Sequence, residues 1–246
     1  QREIIEAPED KRIVVNAMPG AGKTAVACAK ISELINRGIP ASQIWLLSFT
    51  RTAVQELKNR IASFADEDRD VIGVKIATID SRAWYLRFGM TDDKGKSLFQ
   101  DYDLSINQAL EMIKENPSEY EQAFGEIAHV IIDEAQDITG IRLNLIDQIV
   151  QMLPISCGVT VFGDEAQAIY GFTSDEETEQ DGINYLKLLR EQYTEQFTFK
   201  TLNSMHRTDN LRLQKLIDDL RLDIQVQTPA EVISQKDTAT KIRGAV

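Results

Sequence analysis

The octapeptide Ala17-Met18-Pro19-Gly20-Ala21-Gly22-Lys23-Thr24 stands between a run of β-formers and a helical pattern. A glycine-rich turn in that position lets consecutive backbone N–H groups point at phosphate oxygens, while the helix N-terminus adds partial positive charge. Gly20 and Gly22 supply the backbone freedom, Lys23 reaches the β- and γ-phosphates, and the Thr24 hydroxyl is a magnesium ligand. Pro19, Gly20, Ala21, Gly22, Lys23 and Thr24 are therefore the candidate residues for a nucleoside triphosphate. Ala17 takes the position of the first glycine in the strict pattern, which the looser pattern allows.

A second group, Asp133-Glu134-Ala135-Gln136-Asp137, closes the apolar run His129 to Ile132. At the end of a strand the pleat sends adjacent side chains to different partners. Asp133 is placed to hold magnesium, a hard cation that prefers oxygen ligands and keeps several waters. Glu134 is then placed to orient and deprotonate a water that attacks the γ-phosphate. A third stretch, Gly163 to Tyr170, follows another short β-run, and ligand groups in an open α/β sheet gather at such strand ends. The three together read as a site for ATP, Mg2+ and an attacking water.

These residues need a frame, and the pattern supplies one. Strands are expected at Arg12 to Asn16, Ile44 to Phe49, Lys75 to Ile79, His129 to Asp133 and Val159 to Gly163, with Thr198 to Leu202 a further run ahead of the last helix. Between them come a helix from Lys23 to Asn36, closed by Gly38 and Pro40, and one from about Thr52 with Gln55 completing a capping box. A further helix carries Leu145, Ile149 and Leu153 on one side. The alternation predicts an α/β fold with a doubly wound, mainly parallel sheet. Residues from about Phe88 to Glu126 are polar and helical with no strand, and read as a small helical insertion. A last helix near Asn210 to Leu222 precedes a Gln/Thr-rich tail.

Composition bounds the alternatives. The chain has 246 residues, 43 % of them hydrophobic, enough for one substantial core. Two distant cysteines and two histidines give no zinc cluster or disulfide framework, so a reducing cytoplasm fits best. No apolar run approaches the roughly 20 residues that span a bilayer, and no membrane partner is expected. The 39 acidic residues outnumber 27 basic ones, for a net charge of -12. That lowers the expectation of nucleic acid as a partner. The acidic excess, however, gathers at Asp66 to Asp70, Asp92 to Asp93 and Asp175 to Asp181, and phosphate contacts need only a local groove.

Taken in order, the motifs resemble the first motor domain of superfamily 1 DNA helicases of the UvrD/Rep/PcrA type, and the resemblance covers most of residues 1 to about 208. It implies a RecA-like P-loop NTPase domain over residues 1–203, and at 204–246 the truncated start of a second motor domain. Gln1 stands where that family reads adenine, and His206 where a tyrosine usually stacks on it. Gln167 would sense the γ-phosphate, and Arg207 would clamp it from the second motor domain. Single-stranded DNA is the implied partner. Phe49, Thr50 and Arg51 match motif Ia, Thr78 and Ser81 motif Ib, and Tyr170 and Phe172 the end of motif III.

The chain departs from the family pattern at several of these positions. Asp80 replaces a histidine and would repel a phosphate, Thr173 replaces an arginine, and Met205 replaces an asparagine. The later motifs of the second motor domain have no counterpart, so the chain reads as a fragment or a natural truncation, and its start so close to the first strand is consistent with trimmed upstream residues. The implied function is an ATP-dependent helicase or translocase moving 3′ to 5′. Two other classes stay open: a DNA-independent P-loop phosphotransferase, and a module whose bound nucleotide switches a protein interaction without turnover.

Overall fold

A computed structural model of the protein describes residues 1–65, 73–88, 102–167 and 183–202. Six strands, β1 (Arg12–Ala17), β2 (Ile44–Ser48), β3 (Lys75–Thr78), β4 (His129–Asp133), β5 (Gly158–Gly163) and β6 (Thr198–Leu202), form one sheet in the order β3-β2-β4-β5-β1-β6. Every pairing is parallel. The four inner strands are short and largely buried on both faces, as a sheet covered on both sides requires, while the edge strand β6 is half open. Val14, Leu47, Val130, Ile132, Val159 and Val161 enter one core layer. Ile13, Val15, Leu46, Ile131 and Phe162 enter the other, with the period of two that a pleat imposes.

Helices α1 (Arg2–Ile5), α2 (Lys23–Asn36) and α3 (Arg51–Ala65) supply Ile4, Ile31, Leu34, Leu57 and Ile61 to the second layer. The first layer is completed by α4 (Ile79–Phe88), α5 (Tyr102–Glu115), α6 (Pro117–Gly125), α7 (Gly140–Met152) and α8 (Tyr185–Gln192). The expected helical insertion therefore rests on the sheet itself: Ile106, Ile113, Tyr120 and Phe124 join the same core as Val130 and Leu145. Its stretch 89–101 lies outside the described residues, as do the three acidic runs, the helix expected at Asn210 to Leu222 and the tail after it.

The five expected strands fall where the hydrophobic runs put them, and the run Thr198 to Leu202 forms the sixth. Helix α2 ends as expected, with Ile39 N–H returning to Leu34 O at 3.1 Å and Gly38 N–H to Ile35 O at 2.8 Å, the hydrogen-bond pair of a Schellman motif. The start of α3 differs from expectation. Its cap is Thr50, whose Oγ1 accepts Ala53 N–H at 3.1 Å, and Gln55 turns outward to Asn59 instead of closing a capping box. Helices α4 and α8 were not expected from the periodicity. Both begin on a polar cap: Thr78 Oγ1 accepts Ser81 N–H, and Asn184 Oδ1 accepts Lys187 N–H.

Register matters more for the site than topology alone. Ser48 pairs with Thr78 on one side and Asp133 on the other, and Asn16 pairs with Gly163. The segments after β1, β2, β3, β4 and β5 thus leave the same edge of the sheet.

His129 opens β4 as a buried structural group. Its Nδ1–H donates to Glu9 O at 2.9 Å, which leaves Nε2 to accept from the Thr160 hydroxyl at 2.9 Å. Burial holds the ring neutral and pushes its pKa down to about 4. An unfolded histidine takes a proton near pH 6.5, so this group's contribution is lost as pH falls from 6.5 toward 4, by about 2 kcal/mol between pH 7 and 5. Asp133 and Asp137, raised by burial to about 7 and about 6, contribute with the opposite sign. The histidine is therefore read by difference. The stability gap between the parent chain and His129→Gln should narrow by about 2 kcal/mol from pH 7 to pH 5, measured from urea midpoints. A gap that stays constant with pH would show that the ring does not carry this linkage.

Candidate active site

The turn after β1 has the form the glycines predict. Gly20 (φ 74°) and Gly22 (φ 85°) both occupy the left-handed region, which side chains with a Cβ rarely adopt. Gly22 caps α2 without any side-chain hydrogen bond to the helix, so the first N–H groups of α2 are not claimed by a capping side chain. Ala21 is buried beneath the turn and ties back through its N–H to Met18 O at 3.0 Å. Pro19 and Thr24 are half-buried on its two sides.

Gln1 stands beside this turn, its Nε2 donating to Ala21 O at 3.1 Å. The placement comes from the rest of the N-terminal segment. Lys30, fully buried on α2, donates to Ala7 O at 2.6 Å, and Arg37 donates to Ala7 O at 3.1 Å and Glu6 O at 2.8 Å. Glu3 pairs with Lys200 on β6. Burial, then the neighbouring Arg37, bring the Lys30 ammonium down to about 8. Three cations thus fasten a helix of 4 residues that has little core of its own.

Across the site, Lys23 Nζ pairs with Glu134 Oε2 at 2.9 Å. Glu134 sits in the left-handed region at φ 54°, the one non-glycine residue there among the described residues. Such a backbone costs on the order of 1 kcal/mol and is found where a side chain must be aimed. Its N–H donates to Asp133 Oδ1 at 3.0 Å. Asp133 is almost fully buried, and burial first, then Glu134, raise it to about 7 against the pull of Lys23. Three carboxylates, Asp133, Glu134 and Asp137, therefore share the field of one ammonium.

That excess of buried negative charge fits a divalent cation. Among the described residues there is no all-protein cage of three or more His, Cys, Asp or Glu. Magnesium does not need one, since it takes one or two protein oxygens and completes its shell with phosphate and water. Asp133 and the Thr24 hydroxyl are the residues suited to hold it.

Between β1 and β4 the sheet inserts β5, and the residues after it link the two ends. Gln136 Nε2 donates to Glu134 Oε2 at 2.7 Å, while its Oε1 accepts the buried Asp164 N–H at 3.0 Å. A Cβ on Gly163 would stand 3.0 Å from that Oε1 and 2.6 Å from Leu186 Cδ1, so any larger residue there must push Leu186 aside and crowd the bridge. Asp164 in turn holds Gln167, whose Nε2 donates to its Oδ2 at 2.7 Å. Glu165 accepts from Asn16 Nδ2 at 3.1 Å and pairs with Arg190 of α8. Sequence assigns no role to Gln136, Asp164, Asn16 or Glu165; the signal available was that Gln136 lies inside Asp133 to Asp137, and Asp164 and Glu165 inside Gly163 to Tyr170.

The residues expected on DNA form a second group on the same sheet edge. Phe49 is half-buried and Thr50 is exposed, its hydroxyl engaged in the α3 cap. Thr78 is buried and shares its oxygen with Ser81 Oγ at 2.8 Å, so this pair reaches solvent through Ser81. Arg51, whose guanidinium donates to the Tyr102 hydroxyl, borders a cleft of about 300 Å3 with Asp80, Ser81, Trp84, Tyr85 and Tyr102. Arg82 is buried: its guanidinium lies 3.7 Å from the Trp45 ring centre, and burial lowers its pKa to about 10. Asp80 pairs with Arg142 of α7 at 2.8 Å, and the same guanidinium bonds Asp103 at 3.1 Å. Tyr170, Phe172, His206 and Arg207 lie outside the described residues.

With this geometry in place, residues 1–173 match the model of an AAA domain family, AAA_19, and the chain belongs to that family. Over 51 residues it is 39 % identical to an ATP-dependent helicase/nuclease subunit from Lactobacillus gasseri, and equally to its namesake from Lactobacillus johnsonii. Those matches take in 21 % of this chain and 4 % of each relative, so the chain spans a small part of their length. The Pif1 helicase from Candida albicans shares the fold, with a TM-score of 0.50 at 15 % identity over 86 % of this chain and 41 % of that one. The matches accord with the RecA-like α/β fold and with the superfamily 1 helicase motor domain that the motifs resemble.

The bridge between β4 and β5 is open to a direct test. Gln136→Ala strips the acceptor from the buried Asp164 N–H and should cost about 1–3 kcal/mol of stability in urea unfolding. Gln136→Glu keeps an acceptor for that N–H but places a carboxylate against Glu134, and should also destabilise the fold, by an amount that shrinks at high salt. Parent-like stability of both variants would show that the bridge holds nothing.

Proposed function

We propose that the chain is the ATP-hydrolysing motor domain of a DNA helicase or translocase, moving 3′ to 5′ along single-stranded DNA. The observation that carries this reading is the 2.9 Å pair between Lys23 and Glu134. It brings the residue suited to bind a γ-phosphate against the residue suited to activate water. An arriving triphosphate takes Lys23 for itself and releases Glu134, which then holds the attacking water through its free carboxylate. Magnesium on Asp133 and Thr24 would supply charge neutralisation at the phosphate oxygens.

The remaining roles are those that the helicase resemblance implies. Pro19 to Thr24 cradle the phosphates, Gln1 reads the base edge beside Ala21, and Gln167 senses the γ-phosphate from its place on Asp164. Arg207 and His206 would act from a second motor domain. Phe49, Thr50, Arg51, Thr78, Ser81, Tyr170 and Phe172 would touch the DNA strand. The net charge of -12 leaves that grip to local cations and aromatic faces rather than to a basic surface.

Steady-state ATP turnover with and without a thymidine oligomer tests the reading. DNA should stimulate turnover, Lys23→Ala should abolish it together with nucleotide affinity, and Glu134→Gln should lower it about 100-fold or more. Because Glu134→Gln frees Lys23 from its ion pair, this variant should bind ATP at least as tightly as the parent chain. Turnover indifferent to DNA would favour a phosphotransferase, and tight binding without turnover a nucleotide switch. Displacement of streptavidin from the 5′ end but not the 3′ end of a biotinylated strand would support the polarity.

A further inference from the structure

Asp80 is the residue the proposed function leaves unexplained, because a carboxylate on a surface that follows a phosphate backbone is repulsive. Its surroundings make the repulsion local. Asp80 Oδ1 is buried against the Arg142 guanidinium, while the side chain keeps 21 % of its surface open on the wall of the cleft. Arg142 also serves Asp103, so two carboxylates share one cation there. Among the described residues the cation that lines the cleft is Arg51, while Arg142 backs Asp80 from α7. A strand crossing this surface is therefore drawn to Arg51 by its phosphates and turned away from Asp80. What can enter beside Asp80 is a base.

The cleft is furnished for one. Tyr85 is 45 % exposed and Tyr102 53 %, two of the few large hydrophobic side chains left open among the described residues, and both line it. Trp84 stands edge-on to Tyr85 with ring centres 5.7 Å apart. Exposed aromatic rings beside a guanidinium are the means by which single strands are held through base stacking. A volume of about 300 Å3 admits a single base.

Chemistry at Asp80 then selects among bases. A carboxylate oxygen accepts and cannot donate, so it favours an edge that offers donors side by side. Guanine presents N1–H next to its 2-amino group, and one oxygen can accept both. Adenine and cytosine place a ring-nitrogen lone pair beside their amino group, and thymine sets its single N–H between two carbonyls. None of those three offers two adjacent donors, so each gives the carboxylate at most one hydrogen bond from its base-pairing edge.

We propose that this cleft is a guanine-preferring pocket on the DNA path, with Asp80 as its specificity-determining residue and Arg142 as the group that holds Asp80 in place. The proposal rests on the reading of the chain as a DNA-tracking motor. It gives that motor a local sequence preference.

The test is fluorescence anisotropy with the full 246-residue chain and thymidine oligomers carrying two adjacent central guanines, adenines, cytosines or thymines. Lithium buffer keeps guanines from associating. The guanine oligomer should bind about tenfold tighter than the other three, the lower end of what a good base-edge contact supplies. Hypoxanthine in place of guanine, which lacks the 2-amino group, should lose most of that gain. Asp80→Asn should level the preference while all-thymidine binding stays the same or improves. Equal affinity for the four oligomers, or a preference that survives Asp80→Asn, overturns the pocket and leaves the motor reading standing. Failure to bind any oligomer overturns both.

Discussion

The site depends on strand register. With every strand parallel, a shift of one residue in any pairing would turn core side chains toward the wrong face, and both layers of this sheet are buried. The apolar alternation that fills the two cores therefore also fixes where Asn16, Ser48, Thr78, Asp133 and Gly163 end up. The charged and polar residues gather on one edge because five strands end there together. None of them could assemble the site by its own attractions, since Asp133 and Glu134 repel each other and burial disfavours the Asp133 anion.

Packing thus holds the electrostatics under tension. A buried ion pair contributes little net stability once its desolvation is counted, but losing one partner is costly. Lys23 and Glu134 are only partly exposed, and Gln136 adds a hydrogen bond to the same carboxylate oxygen. The left-handed backbone at Glu134 belongs to the same balance: conformational energy is spent to aim one side chain at one ammonium. The compensation comes from the cores on either side of β4, where Ile131 and Ile132 are completely buried.

Much of this was legible in the residues. The strand positions, the course of α2 and the pairing of the phosphate turn with the end of β4 follow from runs of β-branched residues and from glycines placed where only glycine serves. What escaped was of a different physical kind. Helix α4 begins on a threonine cap directly after β3 with no intervening turn, so its first residues read as strand. Helix α8 is short and amphipathic, and its signal is a single asparagine cap. The capping box at Thr52 was a plausible pattern that lost to Thr50 two residues earlier, because the helix begins as soon as β2 releases the chain. The burial of Arg82 against Trp45 was equally out of reach, because nothing in one dimension shows that Trp45 lies beside it. The link through Gln136 joins residues 28 positions apart, a distance that periodicity does not cross.

The pairing of Lys23 with Glu134 also bears on selectivity among anions. A bare ammonium at the mouth of a helix would attract chloride, sulfate or any free carboxylate in the cell. Here its charge is already matched, so a simple ion gains little by displacing Glu134. Only a guest that engages several main-chain amides at once can dislodge an internal partner, and among common solutes polyphosphates do this best. The ion pair thus acts as a filter that keeps the cradle clear of lesser competitors.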